Sequence, residues 1–84
     1  MATKNPFGKI RKESDPYVTL EMDGWTWKVL KLYQTPAGSL TNPFARAFCL
    51  VSSPFYPGGE LGDVYVKEIP GLLAWLANHA KEIA

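Results

Sequence analysis

The dipeptide Asp23-Gly24 constrains the fold of this chain more than any other feature of its sequence. It stands between two runs of alternating apolar and polar residues, where Asp-Gly favours a two-residue type I′ turn because both residues accept a positive φ. The register set by this turn pairs apolar residues on one face: Met22 with Trp25, Leu20 with Trp27 and Val18 with Val29. A slip by one residue would mix the two faces. We therefore predict an antiparallel hairpin with strands Tyr17–Met22 and Trp25–Gln34.

The alternation breaks after Val29, because Leu30 and Leu32 fall on the polar face of the hairpin. Two explanations are open. A β-bulge could shift the phase at this point, or this end of the sheet could be covered on both sides.

The prolines and glycines divide the middle of the chain. Thr35–Pro43 is predicted to be a loop, and Phe44–Ser52 a third strand. Ser53–Asp63 contains two prolines and three glycines, so we predict a long loop there. Val64–Val66 is predicted to be a short fourth strand.

A C-terminal helix is predicted from Pro70 to about Ile83. Proline suits the first turn of a helix because it has no N–H to leave unpaired. The apolar residues of this helix share one arc of the helical wheel: Leu72, Leu73, Leu76, Ala77, Ala80 and Ile83. The order β-β-β-β-α predicts an α+β fold, with an antiparallel sheet of three to four strands and the C-terminal helix packed on one face. We expect this packing to bury one common set: Val18, Leu20, Trp25, Trp27, Leu72, Leu76 and Ile83.

The length of 84 residues allows one domain. We place it at residues 16–84, after a basic and flexible N-terminal arm at residues 1–15. The formal net charge of the chain is only +1, which excludes a protein that coats nucleic acid by charge alone.

The single cysteine cannot form an internal disulfide, which excludes a disulfide-stapled secreted scaffold. The apolar runs are far shorter than the ~20 residues of a membrane-spanning helix, and the N-terminus lacks the apolar core of a signal peptide. We therefore expect a cytoplasmic protein that does not associate with membranes.

The sequence contains little of what catalysis or metal binding requires. Cys49 lies in an apolar strand, where a buried and unreactive thiol is expected. His79 falls at the margin of the apolar arc of the helix, and the two residues are too far apart in sequence to suggest a metal site. Gly58–Gly62 lacks the spacing of a phosphate-binding loop. We expect no enzymatic activity and no cofactor.

Several sequence blocks occur together: Asp15-Pro16-Tyr17, Gly24–Lys31, Asn42–Phe48, Ser53-Pro54-Phe55 and Gly62–Val66. Across most of residues 5–69 the chain resembles small accessory proteins of bacteriophages that infect actinobacteria. The resemblance implies an accessory protein acting inside a bacterial cell, and it transfers no activity and no site residue. The strands followed by a helix with Ala74-Trp75-Leu76 are also similar to the arm-type DNA-binding domain of tyrosine recombinases, whose sheet enters the major groove. That second resemblance implies DNA contact through the sheet, although the hairpin offers only Lys28 and Lys31.

Two functions remain from this reasoning. The first is a small non-enzymatic interaction module that binds a host or phage protein. In it, Phe55 and Tyr56 are apolar anchors and Glu60 and Asp63 form a polar rim. The alternative is a nucleic-acid-binding accessory protein that uses the arm and the sheet: Lys4, Lys9, Arg11, Lys12, Lys28, Lys31 and Arg46.

Overall fold

The structure, a computed structural model, describes residues 9–33 and 43–79. Four strands form one antiparallel sheet in the order β1-β2-β3-β4, followed by a short 3₁₀ helix and one α-helix. Their bounds are β1 Val18–Met22, β2 Trp25–Leu32, β3 Arg46–Ser53, β4 Tyr56–Tyr65, the 3₁₀ helix Val66–Glu68 and α1 Leu72–Asn78. The predicted α+β fold, with one helix after a four-stranded antiparallel sheet, is confirmed.

The first hairpin has the predicted register. Leu20 pairs with Trp27, and Val18 pairs with Val29. Asp23 and Gly24 have φ angles of 54° and 82°, the two positive values that a type I′ turn requires. The alternation of the sequence and the chemistry of the turn therefore agree, and together they fix which side chains share a face.

A β-bulge in β2 explains the break in alternation. Val29 pairs with Cys49 but Lys31 pairs with Phe48, so Leu30 is an extra residue in the ladder. The insertion returns Leu32 to the face that carries Val29, and both side chains belong to the core. Leu30 is itself buried. The bulge therefore resets the phase of the strand.

The predicted long loop at Ser53–Asp63 is wrong, because most of it belongs to β4. Only Pro54 and Phe55 form a turn between β3 and β4. A proline is tolerated in an edge strand or at a bulge, where the ladder does not need its N–H. β4 is an edge strand, and its register with β3 shifts between Val51 and Ser53. The prolines and glycines of this segment thus mark a bulged edge strand.

The helix begins later than its sequence predicts. Gly71 is its N-cap, with a left-handed φ of 80°, so Pro70 precedes the helix and does not occupy its first turn. Leu72 and Leu76 are buried as expected, but Ala77 is exposed. The predicted helical residues 80–83 and most of the predicted loop, residues 35–42, lie outside the described residues. No helix in the described part of the chain is long and apolar enough to cross a membrane.

The core lies between α1 and one face of the sheet, hereafter the helix-side face. It consists of Val29, Leu32, Ala47, Cys49, Val66, Ile69, Leu72 and Leu76. Of the set predicted to be buried, only Leu72 and Leu76 are fully buried among the described residues. Val18, Leu20 and Trp27 are half-buried against this cluster, Trp25 is 45% exposed, and Ile83 lies outside the described residues. The helix has seven residues and is about 10 Å long at ~1.5 Å per residue, whereas the eight residues of β2 extend about 26 Å at ~3.3 Å each. So short a helix leaves one end of this face uncovered.

The described part of the N-terminal arm, residues 9–15, lies beside the sheet. The Arg11 N–H donates a 2.7 Å hydrogen bond to the carbonyl oxygen of Leu30. The Tyr17 hydroxyl donates one of 2.8 Å to the carbonyl oxygen of Lys9. The Arg11 guanidinium lies 4.6 Å from the centre of the Tyr17 ring and pairs with Asp15 at 3.2 Å. Through these contacts the arm lies along the part of β2 that does not pair with β1.

Candidate functional site

Both hairpin turns lie at the same end of the sheet, because the four strands run as an antiparallel meander. We call Met22–Trp25 together with Ser53–Tyr56 the turn end. An open groove of about 530 Å³ lies there, lined by residues of both turns that include Met22, Trp25 and Pro54. The groove places side chains of two separate hairpins around one concave surface.

Four residues form a row across the helix-side face at the turn end. Met22 pairs with Trp25, and Ser53 pairs with Tyr56. Thr26 pairs with Ser52, so the same register brings Trp25 beside Ser53. The helix does not cover this row, and its three large members, Met22, Trp25 and Tyr56, are each about half exposed.

Phe55 extends the row at the tip of the second turn, where 98% of its surface is exposed. Exposed apolar residues grouped at one end of a sheet mark an interaction site more often than scattered apolar residues do. The sequence singled out Phe55 and Tyr56, but it missed Met22 and Trp25. The alternation of the first hairpin places both residues on the helix-side face. Their exposure could be recognised only from the length of the helix, which is shorter than predicted and does not reach them.

The two carboxylates predicted to form a polar rim lie on opposite faces of the sheet. Glu60 pairs with Val51 and is exposed on the helix-side face, as Tyr56 is. Asp63 pairs with Phe48 on the other face, hereafter the open face, and accepts a 2.9 Å hydrogen bond from the Tyr33 hydroxyl. The structure therefore places Phe55, Tyr56 and Glu60 on one surface and separates Asp63 from them.

The open face carries a cation–aromatic cluster at the opposite end of the sheet. Its members are Lys31, Tyr33, Phe44, Arg46, Asp63, Tyr65 and Lys67. The Lys31 ammonium and the Arg46 guanidinium lie 4.7 Å and 5.3 Å from the centre of the Tyr33 ring. The hydrogen bond to Asp63, with burial and the negative charge of that carboxylate, raises the pKa of Tyr33 above its usual value.

Lys67 completes this cluster, and no pattern in the sequence pointed to this residue. Its ammonium lies 4.8 Å from the centre of the Phe44 ring and 5.9 Å from that of Tyr65. The Lys67 N–H donates a 3.1 Å hydrogen bond to the carbonyl oxygen of Pro43, which fixes the 3₁₀ helix beside the start of β3. Only the pairing of β3 with β4 brings these segments together.

The other predicted cations are dispersed. Lys28 pairs with Leu50 nearer the middle of the sheet. Lys9, Arg11 and Lys12 belong to the segment beside β2 and β1, and Lys4 lies outside the described residues. Of the seven cations considered for nucleic-acid binding, the structure thus brings Lys31 and Arg46 to one ring.

Cys49 and His79 are both held by packing. Cys49 is buried as predicted, its Sγ lies 3.7 Å from the Gly62 carbonyl oxygen, and burial raises its pKa to about 11. The His79 Nδ1 lies 2.8 Å from the Trp75 carbonyl oxygen, and the two rings stack with centres 4.1 Å apart. Within residues 9–33 and 43–79, no group of three or more His, Cys, Asp or Glu side chains could hold a metal ion.

Comparison of the chain with protein-family models, with curated proteins and with solved structures found no match.

Proposed function

We propose that this chain is a small non-enzymatic interaction module that binds another protein through the turn end of its sheet. The observation that carries the proposal is the 98% exposure of Phe55 beside Tyr56, on a turn between two paired strands. A rigid turn loses little conformational entropy on binding, which favours its use as a recognition element.

The side chains at the turn end are those that dominate protein interfaces. Tryptophan, tyrosine, phenylalanine and methionine are enriched in interface cores, and aromatic anchors supply much of the affinity. Trp25, Phe55 and Tyr56 are at least 45% exposed. Each such ring buries roughly 150–250 Å² when it is fully enclosed. Together with Met22 they provide a compact apolar centre for an interface.

The charges around this centre suggest the chemistry of the partner. Glu21 and Asp23 line the groove between the turns, and among the described residues no lysine or arginine lines it. Glu60 is exposed on the same face as Tyr56. A complementary protein would offer an apolar pocket bordered by lysine or arginine. In the setting that the phage resemblance implies, this partner is a host or phage protein inside a bacterial cell.

Site-specific photocrosslinking tests the proposal. A photoreactive phenylalanine analogue is introduced at Phe55, and a matched control carries it at Ile10, which is 68% exposed and lies outside the turn end. We expect a protein adduct from position 55 that nuclease treatment does not remove and that the control position does not give. Addition of the Trp25→Ala substitution should weaken this adduct.

Equal crosslinking from both positions would contradict the proposal, because it would reveal no preference for the turn end. Adducts formed only between copies of this chain would also contradict it, because a second copy would then cover the patch.

A further inference from the structure

The open face of the sheet carries a second surface that is distinct from the turn end. The cation–aromatic cluster lies on the opposite face and beside the opposite ends of the strands. The two surfaces are about 20 Å apart along β2, because Trp25 and Lys31 are six residues apart at ~3.3 Å each. A ligand on one surface therefore leaves the other accessible.

Two rings of the cluster are exposed. Phe44 is 64% exposed and Tyr65 is 45% exposed. Their planes meet at 80° with centres 6.3 Å apart. Exposed rings on a sheet can accept the faces of unstacked bases, and they do so with little dependence on base identity. Bases inside a duplex are already stacked, so this contact selects single strands.

Three cations border the rings: Lys31, Arg46 and Lys67. Each lies over an aromatic ring, and none forms an ion pair among the described residues. Two carboxylates lie beside these residues, and both accept hydrogen bonds: Asp63 from the Tyr33 hydroxyl at 2.9 Å, and Glu68 from the Tyr65 N–H at 3.0 Å. The positive charges of Lys31, Arg46 and Lys67 are therefore not neutralised by carboxylates in direct contact, and phosphate groups can approach these side chains.

The strand register places the components of the cluster side by side. The Tyr33 N–H donates a 3.1 Å hydrogen bond to the carbonyl oxygen of Arg46, and Arg46 pairs with Tyr65. A cation on β3 thus lies between two aromatic residues, one directly after β2 and one on β4, in a sheet whose strands lie ~4.8 Å apart. Aromatic rings that can stack on bases therefore lie side by side with cations that can contact phosphates, in one strip of the open face.

We propose that the open face binds single-stranded nucleic acid through the cation–aromatic cluster. Tyr65 and Phe44 stack on bases, while Lys31, Arg46 and Lys67 contact phosphates. This function is independent of protein binding at the turn end, and either can fail without the other.

Fluorescence anisotropy with labelled oligothymidine and oligouridine of ~12 nucleotides, within the usual site sizes of ~4–16, tests the proposal. A duplex of the same length is the comparison. We expect one or both single strands to bind more tightly than the duplex. Three phosphate contacts at about 0.7 each predict a slope near −2 for log affinity against log salt concentration. Absence of binding by both single strands, or tighter binding of the duplex, would overturn the proposal.

Two double variants separate the cluster from charge in general. Lys31→Gln with Arg46→Gln removes two positive charges from the cluster, and Lys9→Gln with Lys12→Gln removes two from the N-terminal segment. We expect the first pair to reduce the salt slope by about 1.4 and the second to change it less. Equal losses from both pairs would overturn the proposal, because net charge alone would then explain binding.

The aromatic contact is tested by Tyr65→Leu and by Phe44→Leu, each checked for folding by circular dichroism. Each should weaken single-strand binding about tenfold, the scale of one lost base–ring contact, and leave the salt slope unchanged. Unaltered affinity in both folded variants would exclude stacking and contradict the proposed site.

Discussion

Gly59 packs so closely against Leu50 that a Cβ atom on the glycine would lie 2.8 Å from Leu50 Cδ1 and 2.9 Å from the carbonyl oxygen of Val51. Its φ of 70° also belongs to the left-handed region that side chains disfavour. Leu50 is only 8% exposed. The glycine therefore allows the bulged part of β4 to lie over a leucine of the open face.

Gly59→Ala should destabilise the protein by about 1–3 kcal/mol, because the new methyl group meets the backbone of β3 and the positive φ is strained. For a domain of this size the melting temperature would fall by roughly 4–8 °C per kcal/mol. Gly58→Ala is the matched control, since nothing lies within 4 Å of its Cβ position. Equal melting temperatures of the two variants would show that Gly59 is not under this constraint.

The first turn gives a separate prediction of backbone strain. Gly24→Val should cost about 1–2 kcal/mol, because a β-branched residue resists the φ of 82°. Space is not the cause, since nothing lies within 4 Å of the Cβ position. Gly24→Asn is the control, because asparagine tolerates the left-handed region. Denaturant unfolding of both variants should rank asparagine above valine, and a reversed order would contradict the type I′ turn.

The two tryptophans of β2 should differ in their contribution to stability. Trp27 packs against the core while remaining half-buried, so Trp27→Ala should cost about 2–3 kcal/mol, less than the ~3–5 of a fully buried tryptophan. Trp25→Ala should change the free energy of unfolding by no more than about 1 kcal/mol, because the ring is half exposed. Chemical denaturation measures both. A larger loss from Trp25→Ala would place that ring in the core.

The sequence predicted the first hairpin well because its turn chemistry and its alternation were both local. The turn requires two positive φ angles at Asp23-Gly24, and the paired faces follow from that position alone. The bulge at Leu30 was only one of two explanations, since the shift becomes visible only in the pairing of β2 with β3.

The sequence could not predict β4 in the same way, because the proline and glycines in its first half are typical of loops. That segment becomes a strand by pairing with β3 across a two-residue turn, and the register shift between Val51 and Ser53 interrupts the alternation that identified the first hairpin. The length of α1 was equally hidden. Helical periodicity identified Leu72 and Leu76 but not how much of the sheet the helix covers, and that coverage decides whether Trp25 is core or surface.

The burial of the Cys49 thiol should make the free energy of unfolding fall as the pH rises above about 8.5. Burial raises its pKa to about 11, whereas an unfolded thiol has a pKa of about 8.5. The unfolded state therefore loses the thiol proton first as the pH rises. The contribution of the thiol to the free energy of unfolding is complete below about pH 8.5 and is lost as the pH rises to about 11. Cys49→Ala removes this contribution. The difference in unfolding free energy between the two proteins should shrink between pH 8 and pH 11, and a constant difference would contradict the burial of the thiol.

The central claim is that Phe55 and Tyr56 form a binding surface and not part of the core. The double variant Phe55→Ser with Tyr56→Ser tests it when thermal melting and partner capture are measured on the same preparation. We expect a melting temperature within about 4 °C of the unchanged protein, together with loss of the protein captured by the unchanged chain. Loss of the folded state, or full capture by a folded variant, would contradict the claim.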